Sequence, residues 1–147
     1  KDFCAINIEK AMMNSEIGFG RRLLQALEEQ GISFEHMPSG IDTMCVVVHE
    51  DAIVGKKEKL MQRIHELCEP DAVEIHSGLA LIATVGRGMV RSKGISARLF
   101  DALMKAGINV RLIDQGSSEL NIIIGVENRD FETALKAIYD IFVLTQI

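Results

Sequence analysis

An α+β fold made of two tandem βαββαβ units is what this chain of 147 residues predicts. Two observations lead there. The sequence repeats itself at a shift of 76 residues, and in both copies apolar spacing alternates between strand and helix periods in the same order. Compared with itself at that shift, without a gap, Ile6 meets Ile82, Met13 meets Met89 and Gly18 meets Gly94. Arg22, Leu23, Ala26 and Leu27 meet Arg98, Leu99, Ala102 and Leu103, and Gly31, Ile32 and Gly40 meet Gly107, Ile108 and Gly116. Ordinary residue frequencies would give about two identities in such a window, so the match is a duplication. The units expected are residues 1–77 and 78–147, each near the lower size limit for a self-sufficient core.

The first unit opens with "FCAINIEK", in which Cys4, Ile6 and Ile8 are read as alternating with polar neighbours, a strand pattern of period two. "GFGRRLLQALEEQG" spaces Phe19, Leu23 and Leu27 by four, one stripe of a helix, and Gly31 falls where a glycine ends a helix. "ISFEHM" and "DTMCVVVHE" read as two strands about the turn "PSGI". "VGKKEKLMQRIHELC" reads as a helix with Leu60, Ile64 and Leu67 inward, and "AVEIHSG" as the closing strand. That order is the ferredoxin-like split unit, an antiparallel sheet with helices on one face.

The second unit repeats the plan. "GLALIATVG" is a strand, and "KGISARLFDALMKAG" a helix carrying Ile95, Leu99 and Leu103. "INVRLIDQ" and "ELNIIIGV" are strands, and "DFETALKAIYDIF" is a helix with Ala134, Ile138 and Phe142 on one side. "VLTQI" remains for a fourth strand. It is short, so that strand is expected to be short or to come from upstream of residue 1 in a longer parent protein.

Composition bounds the function. At 48% hydrophobic and 25% charged the chain is globular in character. A net charge of −5 argues against a partner held by phosphate contacts, and one tyrosine without tryptophan offers no platform for stacking bases. No run approaches the roughly 18 apolar residues of a membrane span. Cys4, Cys45 and Cys68 are odd in number and far apart, which fits a reducing compartment and a cytoplasmic location. The chain opens on "KDFCAINIEK", without an initiator Met or a signal-peptide pattern, and is expected to be a piece of a longer protein.

One combination is specific: Gly-Met ahead of the second unit's first helix, Phe-x-x-Leu inside it, "GIN" after it, and then "QGSSELNI". With the tandem units it resembles the paired ACT domains at the C-terminus of aspartokinase. The resemblance covers essentially the whole chain, closely in the second unit and more loosely in the first. It implies a regulatory region that binds an end-product amino acid, lysine or threonine, and restrains a separate kinase domain that phosphorylates aspartate with ATP. It also implies a homodimer through ACT units, with effector at a unit–unit interface. The effector would lie between the loop before the first helix and the second strand with its turn.

By position, the resemblance assigns to the effector Met13, Asn14, Ser15, Gly18 and Phe19, and across from them Ser33, Glu35, Ser39 and Asp42. In the second unit it offers Met89, Ser92, Gly94 and Ile95, then Asn109, Gln115, Ser117, Ser118 and Glu119, as interface or effector residues. The first unit departs from the pattern with "HMPSGIDT" in place of a Ser-Glu turn, and its "NSEIGFG" brings Glu16 near the effector position.

The chemistry of these positions suits an amino acid. A helix N-terminus gives a carboxylate N–H donors and a favourable dipole, and Gly18 and Gly94 leave the backbone open to approach. The plain alternative for both is a loop glycine. An ammonium group wants acidic acceptors. Glu35 could supply one in the first unit, where Arg111 stands in the second, so a cationic side chain suits the first unit and is repelled by the second. The plain alternative for Glu35 is a solvated charge on an edge strand.

Other chemistries find no footing. "TVGRGMVRSKG" lacks the Gly-Lys-Ser/Thr of a phosphate loop, and Gly86, Gly88 and Gly94 do not fit G-x-G-x-x-G. Arg87, Arg91 and Lys93 there read as solvated or as subunit contacts. His65 and Cys68, three apart on a helix, lack the four converging ligands of a zinc site. No catalytic residues, cofactor or metal are expected. A purely structural ACT dimerisation module that binds no ligand is the competing function, separated from a sensor by calorimetry with candidate amino acids.

Overall fold

The computed structural model describes residues 1–144. The chain forms two compact units, Asp2–Ser77 and Gly78–Ile147, with Lys1 belonging to the latter. In the first, β1 (Phe3–Glu9) pairs antiparallel with β2 (Thr43–His49), with Phe3 opposite His49 and Glu9 opposite Thr43. The strand order is β2-β1-β3, where β3 (Ala72–Val85) also continues into the second unit. Helices α1 (Phe19–Glu28) and α3 (Lys57–Cys68) pack together, and a single turn of helix, α2 (Glu50–Ile53), follows β2.

The core of this unit follows from the two periods. Cys4, Ile6 and Ile8 from β1 meet Val46 and Val48 from β2 on one sheet face, under Phe19, Leu23 and Leu27 of α1. From α3 come Leu60, Ile64 and Cys68, so Cys68 takes the fully buried place expected of Leu67, which packs only in part. Gly31 carries φ +64, and Ile32 N–H donates to Leu27 O (3.0 Å), so the glycine ends α1 as anticipated.

In the second unit β5 (Asn121–Glu127) lies between β3 and β4 (Leu112–Asp114), antiparallel to both. Helices α4 (Ile95–Lys105) and α5 (Phe131–Leu144) pack together. Ile82, Ile122, Ile124 and Val126 meet Ile95, Leu99, Leu103, Ala134 and Ile138 in a separate core.

Three strand expectations change. "ISFEHM" is not a regular strand: it holds β2 only through isolated bridges, His36 to Val47 and Ser39 to Met44. Pro38 lies between those bridges and has no N–H, which prevents a continuous ladder there. "INVRLIDQ" narrows to the three residues of β4. "AVEIHSG" and "GLALIATVG" are one strand of 14 residues, β3, running through Gly78 at φ +74. For the proposed terminal strand "VLTQI", Val143 and Leu144 belong to α5, and residues 145–147 lie outside the described residues.

Candidate functional site

The loop that leaves β1 is held by carboxylates. Ala11 N–H donates to Asp71 Oδ2 (2.7 Å), and Met12 N–H donates to Asp42 Oδ1 (2.9 Å). Lys10 N–H donates to Asp42 O (2.9 Å), which brings the turn before β2 against the loop. Met12 has φ +63, a left-handed conformation uncommon for a residue with a side chain. Further on, Glu16 takes an ion pair from Lys10 Nζ (2.8 Å) and another from the Arg22 guanidinium. The bond from Lys10 leads in holding the Glu16 carboxyl below its ordinary range. Arg22 Nε donates to Leu67 O (3.0 Å) and Lys10 Nζ to Cys68 O (2.8 Å), tying the loop to the end of α3.

The sequence-assigned residues of the first unit therefore separate into groups. Met13 and Phe19 are buried in the core, and Asn14 and Ser15 are exposed in the short 3-10 turn Met13–Ser15. Gly18 caps α1 at φ +80. That angle alone calls for glycine, whatever binds nearby. Asp42 is close to this loop, but one carboxylate oxygen is already bonded to Met12 N–H, which weighs against it as the main acceptor of a ligand ammonium. Ser39 bridges to β2 opposite Met44, and Ser33 lines an apolar hollow with Leu24, Leu27 and Phe34.

Glu35 is far from the loop within one copy. Its N–H donates to Val47 O (2.8 Å), and its carboxylate lies 3.9 Å from His49 Nε2. His49 pairs with Phe3, at the start of β1, whereas the loop leaves from Glu9, opposite Thr43. Val47 is four residues from Thr43, roughly 13 Å at ~3.3 Å per residue. One copy of this unit does not bring Gly18 and Glu35 to one small ligand.

The second unit does gather its residues. A cleft of about 310 Å³ holds Met89, Ser92, Ile95, Gln115 and Glu119, five of the nine assigned there. It is at the small end of ligand clefts, which run roughly 300–1,000 Å³. Arg91, Lys93 and Ser96 complete its polar wall. Arg91 and Lys93, expected to be solvated or subunit contacts, are exposed and also line this cleft; they sit in the loop ahead of α4, two residues from Met89 and one from Gly94. Gly94 caps α4 at φ +85, matching Gly18. Ser117 and Ser118 are exposed in the turn, and Asn109 is exposed between α4 and β4; none of the three lines the cleft. Arg91 N–H donates to Glu119 Oε2 (2.8 Å), so the "QGSSE" turn closes back on the loop.

A larger hollow of about 440 Å³ lies between β3 and α5, lined by Ile82, Val85, Ile138, Tyr139 and Phe142 among others. No charged side chain lines it, so it does not match the head group of an amino acid. Burial pushes the thiols of Cys4 and Cys45 up to about 11 and raises that of Cys68, which keeps all three protonated and poor nucleophiles near neutral pH. Among the described residues, no group of three or more His, Cys, Asp or Glu side chains is arranged to hold a metal ion, and no helix is long and apolar enough to cross a membrane.

Residues 82–142 match the ACT domain family. Over 141 residues the chain is 43% identical to aspartokinase 3 of Bacillus subtilis, covering 95% of this chain and 31% of that protein. The aspartate kinase of Clostridium acetobutylicum, described as an allosteric enzyme, superposes with a TM-score of 0.92 at 52% identity, covering 95% of this chain and 32% of that one. Aspartokinase III of E. coli, solved in complex with lysine and aspartate, shares the fold at a TM-score of 0.72 and 21% identity, over 94% of this chain and 30% of that one. Residues 82–142 thus match the ACT family, and the chain as a whole is similar to a region that aspartokinases carry. It spans about a third of the length of those relatives.

Proposed function

We propose that this chain is the allosteric regulatory region of an aspartokinase. It binds an end-product amino acid, lysine first and threonine next, at an interface between ACT units. Binding restrains the ATP-dependent phosphorylation of aspartate by a kinase domain of the parent chain. By linkage, effector can do this only through a difference in affinity between two states of the enzyme. This region by itself is expected to form no aspartyl phosphate from ATP and aspartate.

The observation that carries the reading is the match of nearly the whole chain to aspartokinases; the separation of Glu35 from the loop before α1 means that an effector touching both is shared between two copies. Glu35 stands on the irregular edge segment beside β2, exposed and acidic, at the opposite end of the strand from Gly18. A second copy, turned by a two-fold axis beside that edge, would bring its Glu35 to the first copy's loop. The start of α1 would then take the effector's α-carboxylate through backbone N–H groups. The partner's Glu35 would take the side-chain ammonium, which favours lysine. The lysine complex of E. coli aspartokinase III supports the choice of ligand.

Isothermal calorimetry tests this with lysine and threonine on the purified chain. Loss of a charge-assisted hydrogen bond in Glu35→Ala should weaken lysine binding by about ten- to a hundredfold. Arg111→Ala should leave it nearly unchanged, because Arg111 belongs to the other unit and is paired with Glu127. Normal lysine affinity in a folded Glu35→Ala chain refutes this placement. No heat with either amino acid, and none with the other eighteen, would instead favour a dimerisation module without ligand.

A further inference from the structure

Each unit closes the loop ahead of its first helix with a carboxylate from the turn that faces it. In the first unit Asp42 holds Met12 N–H at 2.9 Å, and in the second Glu119 holds Arg91 N–H at 2.8 Å. The residue whose N–H is held is left-handed in both cases, Met12 at φ +63 and Arg91 at φ +59. The two clasps are not inherited copies of each other. At the 76-residue shift Asp42 meets Ser118, and Met12 meets Gly88. Met12 stands before the 3-10 turn of its loop and Arg91 after the 3-10 turn of its own, so different residues at different places make a like contact, which points to a requirement of the loop rather than a relic of duplication.

We propose that Glu119 is a latch that gates the cleft of the second unit. Arg91 and Glu119 both line that cleft, and Glu119 is itself left-handed at φ +56. Two residues with side chains thus hold an uncommon backbone conformation, and the bond between them offsets its cost. The loop is also tied to this turn by Gly86 N–H donating to Leu120 O at 3.1 Å, and Met89 is buried in the core, so residues 86–89 are held and the latch is left to fix residues 90–93. When the Glu119 carboxylate lets go, residues 90–93 swing as a lid about the buried Met89 and the cleft opens. An N–H that binds a carboxylate of the chain is also suited to a carboxylate from outside. The latch therefore competes with an anionic ligand for the same donor, and only a ligand that displaces Glu119 can hold the loop closed in its place.

Hydrogen exchange on the whole chain, read by mass spectrometry and by the Arg91 amide signal, tests the latch. Glu119→Ala should speed exchange of Arg91 and of residues 90–93 by about ten- to a hundredfold, the worth of a charge-assisted hydrogen bond. Exchange in β3 and β5 should stay as in the unaltered chain. Glu119→Gln keeps an acceptor oxygen without the charge and should fall between. Exchange within about twofold of the unaltered chain in both variants overturns the proposal. So does an acceleration shared equally by β3 and β5, which would mean that Glu119 supports the unit as a whole.

Discussion

Gly125 faces Leu112 across the β4–β5 pair, and a Cβ at Gly125 would sit 2.5 Å from Leu112 Cγ. The atom in the way is the branch point of the side chain, not a flexible tip, so it cannot move aside freely. Gly125→Ala should destabilise the second unit by about 1–3 kcal/mol, the usual cost of overpacking. A urea midpoint unchanged from the original chain would refute this. Other glycines were more legible in the sequence, though for a different reason. The repeat marks Gly18 and Gly94 as open to a ligand or as plain loop glycines, and φ values of +80 and +85 account for glycine at both positions whatever binds nearby. Sequence spacing identifies where glycine is needed; it does not separate a backbone need from a ligand's need. Asp71 is not legible in the sequence, because nothing in the order of residues shows that it meets Ala11, sixty positions away.

Helices α1 and α3 are joined at the surface by Glu29, just past the end of α1, and Arg63. Arg63 Nε donates to Glu29 Oε2 (2.5 Å) and its terminal nitrogen to Glu29 Oε1 (3.0 Å). The hydrogen bond from Arg63, followed by one from Gln25, lowers the Glu29 carboxyl from its ordinary 4.5 to about 2. A lowered carboxyl stabilises the fold above its ordinary value and loses that contribution as pH falls toward the lowered one. The thermal midpoint should therefore drop as pH goes from about 4.5 to about 2. Glu29→Gln should flatten that drop, and added salt should shrink the difference. Equal slopes for both proteins across the window would refute it. Element content was readable where burial imposes a period, as in β1, β2, β5 and all four long helices. It was less readable at sheet edges, where one neighbour is missing and the pattern weakens. Hence "ISFEHM" and "INVRLIDQ" looked like full strands and are not, while Ser77-Gly78 looked like a break inside what is one strand.

At the scale of the whole molecule, the effector assignment makes a demand about assembly. The acidic residue and the helix start that it pairs on one ligand belong to opposite ends of one strand pair. Either the assignment fails or two copies share the site. The edge segment 33–39 holds β2 by only a few bonds and presents exposed Ser33, Phe34 and Glu35, a surface open to pairing with a second chain. Apolar hollowing beside it, at Leu24, Leu27 and Phe34, gives that pairing area to bury. The expected outcome is a dimer at micromolar concentration, with lysine shifting the monomer–dimer balance further toward it, because a ligand bound only by the pair stabilises the pair by mass action. Sedimentation velocity with and without lysine measures this. Glu35→Ala should remove the lysine dependence while the apolar contact still permits association, and Phe34→Ser should weaken association with or without lysine. A chain that sediments as a monomer under both conditions, yet still binds lysine, would mean that one copy completes the site and that Glu35 has no part in it.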